Sequence, residues 1–327
     1  MDTLWLWIVF NLFVLVMLAL DLGVVHRKAH AISLREATWW STIWVLVALA
    51  FNFGMLYWYG EPEVRSARAL EFFTGYLIER MLSVDNIFVF LVLFQYFRVE
   101  ARYQYRVLIW GIVGALVLRG TMIGVGVALI RQFEWILYVF GAFLVYTGIK
   151  MLVHKPEDIH PEHNPVFRWA RKILPMTKDY MGQRFFVREG GIWRATPLFL
   201  VLLVVETTDL AFALDSIPAI FAITKDAFII YSSNVFAILG LRALYFLLAG
   251  ALPYFRYLSA GLSIVLIFIG VKMLAERWVH LSIGLALGIV CGVLAASMIA
   301  SVAAAMAEKR MLRRAKTSEP VRDPFKD

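Results

Sequence analysis

The chain of 327 residues is 61% hydrophobic and 15% aromatic, with 17% charged residues. A soluble domain carries about 25% charged residues, so a soluble globule is excluded and an all-α polytopic membrane protein is predicted. The net charge of +8 lies mainly in short connectors and the C-terminal tail, as membrane topology requires, and not on a nucleic-acid-binding face.

Nine apolar stretches follow, each near or above the ~20 residues that cross a bilayer as a helix. The first, 4–25, is preceded by no basic region and followed by His26, Arg27 and Lys28. It therefore reads as a retained span, although Ala29-His30-Ala31 imitates a cleavage site. After 37–58 comes 70–97, which carries Glu79, Arg80, Asp85 and Asn86 within apolar sequence. Spans 107–130, with Arg119, and 134–152 precede a polar connector, 153–196. His154, Glu157, Asp158, His160, Glu162 and His163 of that connector have no recognised metal-site spacing and read as a solvated loop. Residues 168–176, with Trp169 and Ile173, suggest a short interfacial helix. Span 197–223 carries Glu206, Thr207, Thr208, Asp209, Asp215 and Ser216. Spans 230–251, with Asn234 and Arg242, 257–275 and 279–306 complete the transmembrane domain, 1–306. The charged tail, 307–327, is expected to be disordered and cytoplasmic.

Lysines and arginines in alternate connectors number 22 on one side and 5 on the other. The positive-inside rule then places the N-terminus outside and the C-terminus in the cytoplasm, as nine crossings require. Cys291 is the chain's one cysteine, which excludes an internal disulfide. No nucleophile–base pair or phosphate-binding loop points to an enzyme.

The chain repeats itself. Glu79 and Asp85 are six apart, as are Asp209 and Asp215, and a polar residue, Asn86 or Ser216, follows each second acid. Leu118-Arg119 and Leu241-Arg242 come next, and each copy closes with Gly-x-Lys-Met-Leu, at 148–152 and 270–274. With three spans per copy, about 70–152 and 197–275, the second must enter the membrane in the opposite direction. Inverted repeats of this kind characterise secondary transporters.

An ionised carboxylate near the bilayer centre costs about 2.5 kcal/mol or more, so Glu79, Asp85, Glu206, Asp209 and Asp215 need a role. At about 100° per residue, Glu206 and Asp209 share a helix face, whereas Asp215 lies about 180° from Glu206 and Asp85 about 120° from Glu79. For all five to line one cavity, both helices must unwind or kink near the second acid, and Pro218 supplies a cause in one of them. Neutralisation of buried Arg80, Arg119 and Arg242 would still leave two carboxylates over. Arg119 and Arg242 are expected to balance site carboxylates, and Lys150 and Lys272 to snorkel to the headgroups. Together with Asn86, Ser216, Thr207 and Thr208, the acids form an oxygen set suited to Mg²⁺, Ca²⁺ or Mn²⁺ rather than Zn²⁺ or Cu⁺. Met81 would add a soft contact favouring Mn²⁺, although methionine in an apolar helix is ordinarily packing. The partners implied are a divalent ion and the lipid bilayer, with no cofactor; oligomeric state is left open.

At these residues the chain resembles the TerC family of bacterial membrane proteins, most closely its Alx-like members. The likeness runs from about residue 21 to about 292. It rests on Phe73-Thr74-Gly75-Tyr76-Leu77-Ile78-Glu79, Ser83-Val84-Asp85-Asn86, Glu206-Thr207-Thr208-Asp209, Ala213-Leu214-Asp215-Ser216-Ile217-Pro218-Ala219 and the run from Asn234 through Arg242. Arg80 stands where lysine is common, which keeps the charge. The resemblance implies Mn²⁺ export across the inner membrane through the five acids. Exchange for H⁺ is a further expectation, since clustered acids can trade protons for a cation. A tellurite association fits poorly, because tellurite is an anion. The rival readings are a non-transporting partner that delivers metal to exported proteins, and a Ca²⁺/H⁺ exchanger.

Overall fold

The computed structural model describes residues 3–23, 34–153, 164–249, 257–279 and 281–318. In hydrocarbon a spanning segment must satisfy its backbone internally, and the apolar stretches accordingly fold as helices. The first five are α1 (Thr3–Gly23), α2 (Leu34–Trp58), α3 (Arg65–Tyr96), α4 (Ala101–Gln132) and α5 (Ile136–Val153). A short α6 (Pro165–Ile173) and a hairpin, β1 (Phe186–Glu189) with β2 (Ile192–Ala195), follow. Then come α7 (Pro197–Phe221), α8 (Ala227–Leu239), α9 (Leu241–Ala249), α10 (Leu258–Ala275) and α11 (Ile283–Ser318). Six of these are long and apolar enough to cross a membrane, seven if α8 and α9 count as one bent span. The helix α3 is long enough but carries Glu71, Glu79, Arg80 and Asp85, and the apolar part of α1 is short, Leu4–Leu20.

Local chemistry sets the ends. Asn164 caps α6 by accepting from the amides of Val166 and Phe167, with Pro165 in the first turn. Asp226 caps α8 by accepting from Phe228 and Ile229. The side-chain oxygen in each case satisfies amides that have no partner within the helix. The turn from α3 to α4 passes through Arg98 at φ 51°, a left-handed position that usually takes glycine.

The chain is mostly helical, but not wholly so. The hairpin lies in the connector, where Gly190 and Gly191 at φ 59° and 83° make its two-residue turn. Much of the connector is ordered and docked. Phe167 and Ala170 of α6 are buried, Tyr180 donates to the Phe97 carbonyl at 2.7 Å, and Asn164 donates to the Thr207 hydroxyl at 2.9 Å. The helix expected at 168–176 begins three residues earlier, at its proline. The acidic and histidine-bearing stretch 154–163 lies outside the described residues. The last helix runs to Ser318, so helix extends into the tail that was expected to be disordered.

The break expected beside the acids is absent. Both α3 and α7 run unbroken past them. Pro218 lies in the last turn of α7, where its missing N–H frees only the Leu214 carbonyl, and Ala222 still donates to the Pro218 carbonyl at 3.2 Å. The chain bends instead at Gly240, by 43°, between α8 and α9. A side chain at Gly240 would collide with the Arg80 guanidinium, which donates to the Ala237 carbonyl at 3.3 Å and to Ser41 at 3.1 Å. The Arg80 charge thus lies at the carbonyl end of α8, where a cation is favoured.

The acid helices α3 and α7 pack on each other, with α5 and α10 on one side and α4, α8 and α9 on the other. A Cβ on Gly270 would lie 2.6 Å from the Gly141 carbonyl oxygen, and one on Gly148 would lie 2.8 Å from the Ser263 carbonyl oxygen. Since 141 meets 270 while 148 meets 263, α5 and α10 run antiparallel at backbone contact, as small residues permit in a membrane. An apolar cluster built on Phe10, Trp44, Phe72 and Phe236 seats α1 and α2 against α3 and α8.

Candidate functional site

With α3 and α7 intact, the angular separation of their acids is realised in space, and the five carboxylates fall into separate environments. Among the described residues, no group of three or more His, Cys, Asp or Glu converges as a metal cage.

One face of the pair meets α4 and α8. The Arg119 side chain is 3% exposed and forms ion pairs with Glu79, 0% exposed, and Asp209, 4% exposed. Its Nε and Nη2 donate to the two Asp209 oxygens at 3.2 and 3.0 Å. This bidentate arrangement suits a planar guanidinium. Nη1 donates to Asn234 Oδ1 at 3.5 Å. Arg242 is also buried and lies over the Tyr105 ring, 5.3 Å from its centroid. Glu206 lies against Gly114 of α4, where any side chain at 114 would collide with its carboxylate. Although Glu206 shares a helix face with Asp209, it is half-buried in a contact of its own.

The opposite face of α3 and α7 meets α5 and α10, and there the packing leaves a cavity of about 340 Å³. Asp85 and Asn86 of α3, Asp215 and Ser216 of α7, and Thr147 and Lys150 of α5 line it. Leu82, Met151, Phe212 and Leu266 complete an otherwise apolar wall. Ser259 of α10 is turned towards Asp85, and Thr147 of α5 towards Asp215. Ser216 is 2% exposed, and its hydroxyl oxygen has no hydrogen-bond partner among the described residues. A buried polar atom without a partner is costly; here it borders a space that a ligand can fill.

The cavity therefore brings together Asp85, Asn86, Asp215 and Ser216. It excludes Glu79 and Asp209, which Arg119 holds on the far side, and Glu206. Thr147, Lys150 and Ser259 were not anticipated. For Lys150 the repeated Gly-x-Lys-Met-Leu was a signal, because it marks the same position in both copies. Its counterpart Lys272 is held within the protein: its ammonium donates to the Ala222 carbonyl at 2.8 Å, capping the end of α7.

A second polar cluster ties connectors at one end of the molecule. Tyr59 donates to both Asp226 oxygens at 2.8 and 2.9 Å, and Arg68 lies 3.1 Å from Asp226 and 3.4 Å from Glu71. Thr224 donates to Glu71 at 2.6 Å.

The part of the chain that builds these two faces is similar to known proteins. A model of the "Integral membrane protein TerC family" matches residues 64–310, which include both acid helices and every cavity-lining side chain. The chain belongs to the TerC family. This TerC protein is 53% identical over 268 residues to an uncharacterized membrane protein of Myxococcus xanthus, covering 82% of each chain. It is 50% identical over 284 residues to the "Putative membrane-bound redox modulator Alx" of Salmonella typhi, covering 86% of this chain and 88% of that one. The protein of the same name from Escherichia coli K12 is 49% identical over 284 residues, covering 86% of this chain and 88% of that one. No solved structure matches.

Proposed function

We propose that this TerC protein is a secondary transporter that exports Mn²⁺ from the cytoplasm across the inner membrane. The observation that carries the reading is the cavity, where two carboxylates, an amide and a partnerless hydroxyl border one space between α3, α5, α7 and α10. Carboxylate, amide and hydroxyl oxygens suit a hard divalent cation. Asp85, Asn86, Asp215 and Ser216 hold the ion, while Arg119, with Arg242 close by, compensates Glu79 and Asp209 and sets the orientation of the acid helices.

The architecture proposed with it is nine crossings, counting α1, α3 and the bent α8–α9 pair as one each, with two inverted three-helix repeats. Contacts between α5 and α10 support this. The repeat equates 141 with 263 and 148 with 270, and the observed contacts, 141 with 270 and 148 with 263, are exchanged by that equivalence. Such reciprocity is what a two-fold axis in the membrane plane produces, with the substrate site at the repeat interface.

The cavity reaches Lys150 and Met151 in the last turn of α5, the cytoplasmic end by charge distribution. The Tyr59–Asp226–Arg68–Glu71 cluster closes the outer end. This is an inward-facing arrangement, and alternation between the two ends moves the ion outward. Two carboxylates in one cavity also allow proton exchange, giving H⁺ antiport. The relatives' name speaks of redox, but one cysteine offers no thiol pair.

The test is Mn²⁺ uptake into inverted membrane vesicles by wild type, Asp85→Asn and Asp215→Asn, with Ca²⁺ and Mg²⁺ as competitors and a pH gradient of either sign. Saturable Mn²⁺ flux abolished by either substitution in folded protein is the expected result. Metal binding without flux would replace this reading with metal delivery. Preference for Ca²⁺ would replace it with Ca²⁺/H⁺ exchange.

A further inference from the structure

We infer that Lys150 is a tethered cation that occupies the carboxylate cavity when the transported ion is absent and is displaced to the rim when the ion binds. The inference rests on the transport reading and names the residue that sets its affinity and its return step.

Three observations lead to it. Lys150 lines the same cavity as Asp85 and Asp215, yet among the described residues no direct ion pair joins it to either acid. Its side chain is exposed and lies in the last turn of α5, so a four-carbon stem carries the ammonium between wall and rim. Its repeat counterpart, Lys272, is held by the Ala222 carbonyl at 2.8 Å and does not line the cavity. Of two equivalent lysines, then, one is fixed to backbone and the other is left at the acids.

Charge balance gives this asymmetry a consequence. Asp85 and Asp215 together carry two negative charges when ionised, and Lys150 supplies one positive charge from within the protein. With Lys150 drawn in, an empty cavity needs only one proton to be neutral, whereas without it both carboxylates must be protonated or face a low-dielectric wall ionised. A divalent ion neutralises both acids and leaves no favourable place for the ammonium, which withdraws to the exposed rim. Lys150 therefore competes with the ion and weakens its binding. The same competition stabilises the ion-free state through which the transporter must return after release. A tethered competitor acts at high effective concentration because its stem cannot diffuse away.

The experiment compares purified full-length wild type, Lys150→Met, Lys150→Arg and Lys272→Met. Mn²⁺ binding is measured by titration calorimetry, and net Mn²⁺ efflux and Mn²⁺/⁵⁴Mn²⁺ exchange are measured in proteoliposomes. Lys150→Met is expected to tighten Mn²⁺ binding about tenfold or more, the size of one removed charge at partly screened range. It should lower net efflux several-fold while sparing exchange, since exchange never passes through the empty carrier. Lys150→Arg should stay within about twofold of wild type in affinity, and Lys272→Met should not tighten binding. Unchanged affinity in Lys150→Met, or equal loss of efflux and exchange, overturns the inference while leaving the transport reading intact. Absence of Mn²⁺ binding by folded wild type overturns the transport reading itself, and this inference with it.

Discussion

Replacement of Arg119 by methionine tests the division of the acids into two classes. Arg119 is 3% exposed, and its partners Glu79 and Asp209 are 0% and 4% exposed. Methionine fills much of the same volume but leaves both carboxylates without this cation. Removing one member of a buried ion pair costs about 3–5 kcal/mol. The two charge-assisted bonds to Asp209, at 3.0 and 3.2 Å, independently account for a loss of the same order at about 1.5–3 kcal/mol each. At about 2–4 °C per kcal/mol, thermal unfolding in detergent, followed by tryptophan fluorescence, should fall by on the order of 10 °C. Adding Glu79→Gln and Asp209→Asn to Arg119→Met should recover at least half of that loss, because neutral amides need no counter-ion. Asp85→Asn and Asp215→Asn should each move the midpoint by less than about 3 °C, since their carboxylates border open cavity rather than a buried partner. The reasoning is refuted if Arg119→Met unfolds within about 3 °C of wild type, or if the triple variant is no more stable than the single one.

Other substitutions probe the scaffold around the site. Gly270→Leu should abolish folded protein on size-exclusion chromatography, because even its Cβ would lie 2.6 Å from the Gly141 carbonyl oxygen, and rigid backbone cannot yield as a side chain can; a monodisperse variant would contradict the α5–α10 contact. Asp226→Ala should lose about 2 kcal/mol through the α8 cap and the Arg68 and Tyr59 contacts, whereas Asp226→Asn, which keeps the cap, should lose less than half as much in the same unfolding assay. Burial pushes the Tyr180 phenol up from 10.0 to about 12. The folded chain thus favours the protonated phenol, and the contribution is whole below pH 10.0 and falls away as pH rises to about 12. Tyr180→Phe should cost about 1 kcal/mol at neutral pH through the lost bond to Phe97 and should flatten stability across that alkaline window, as read by thermal midpoints at stepped pH. Arg98→Gly should stabilise the chain by about 1 kcal/mol, since Arg98 holds φ 51°; a lower midpoint would mean that the arginine side chain contributes more than its backbone loses.

Sequence by itself determined the helices and the residues that matter for charge. Long apolar stretches in hydrocarbon have one local solution, the helix, and so the apolar helices, their order and the acids within them are legible from composition. The paired anchors, such as Asp85-Asn86 against Asp215-Ser216, are likewise a matter of spacing along the chain. Which acids face one another was not legible, because helical angles become positions only when neighbours fix each helix's rotation. Had α3 and α7 unwound, as Pro218 suggested for α7 alone, five carboxylates could have shared one cavity. Both stay helical, so Glu79 and Asp209 turn to Arg119 while Asp85 and Asp215 turn to α5 and α10. The bend at Gly240 and the tether of Lys272 to Ala222 were hidden for the same reason. Each depends on a partner far away in sequence, Arg80 in one case and the end of α7 in the other, and only tertiary packing brings such pairs within reach.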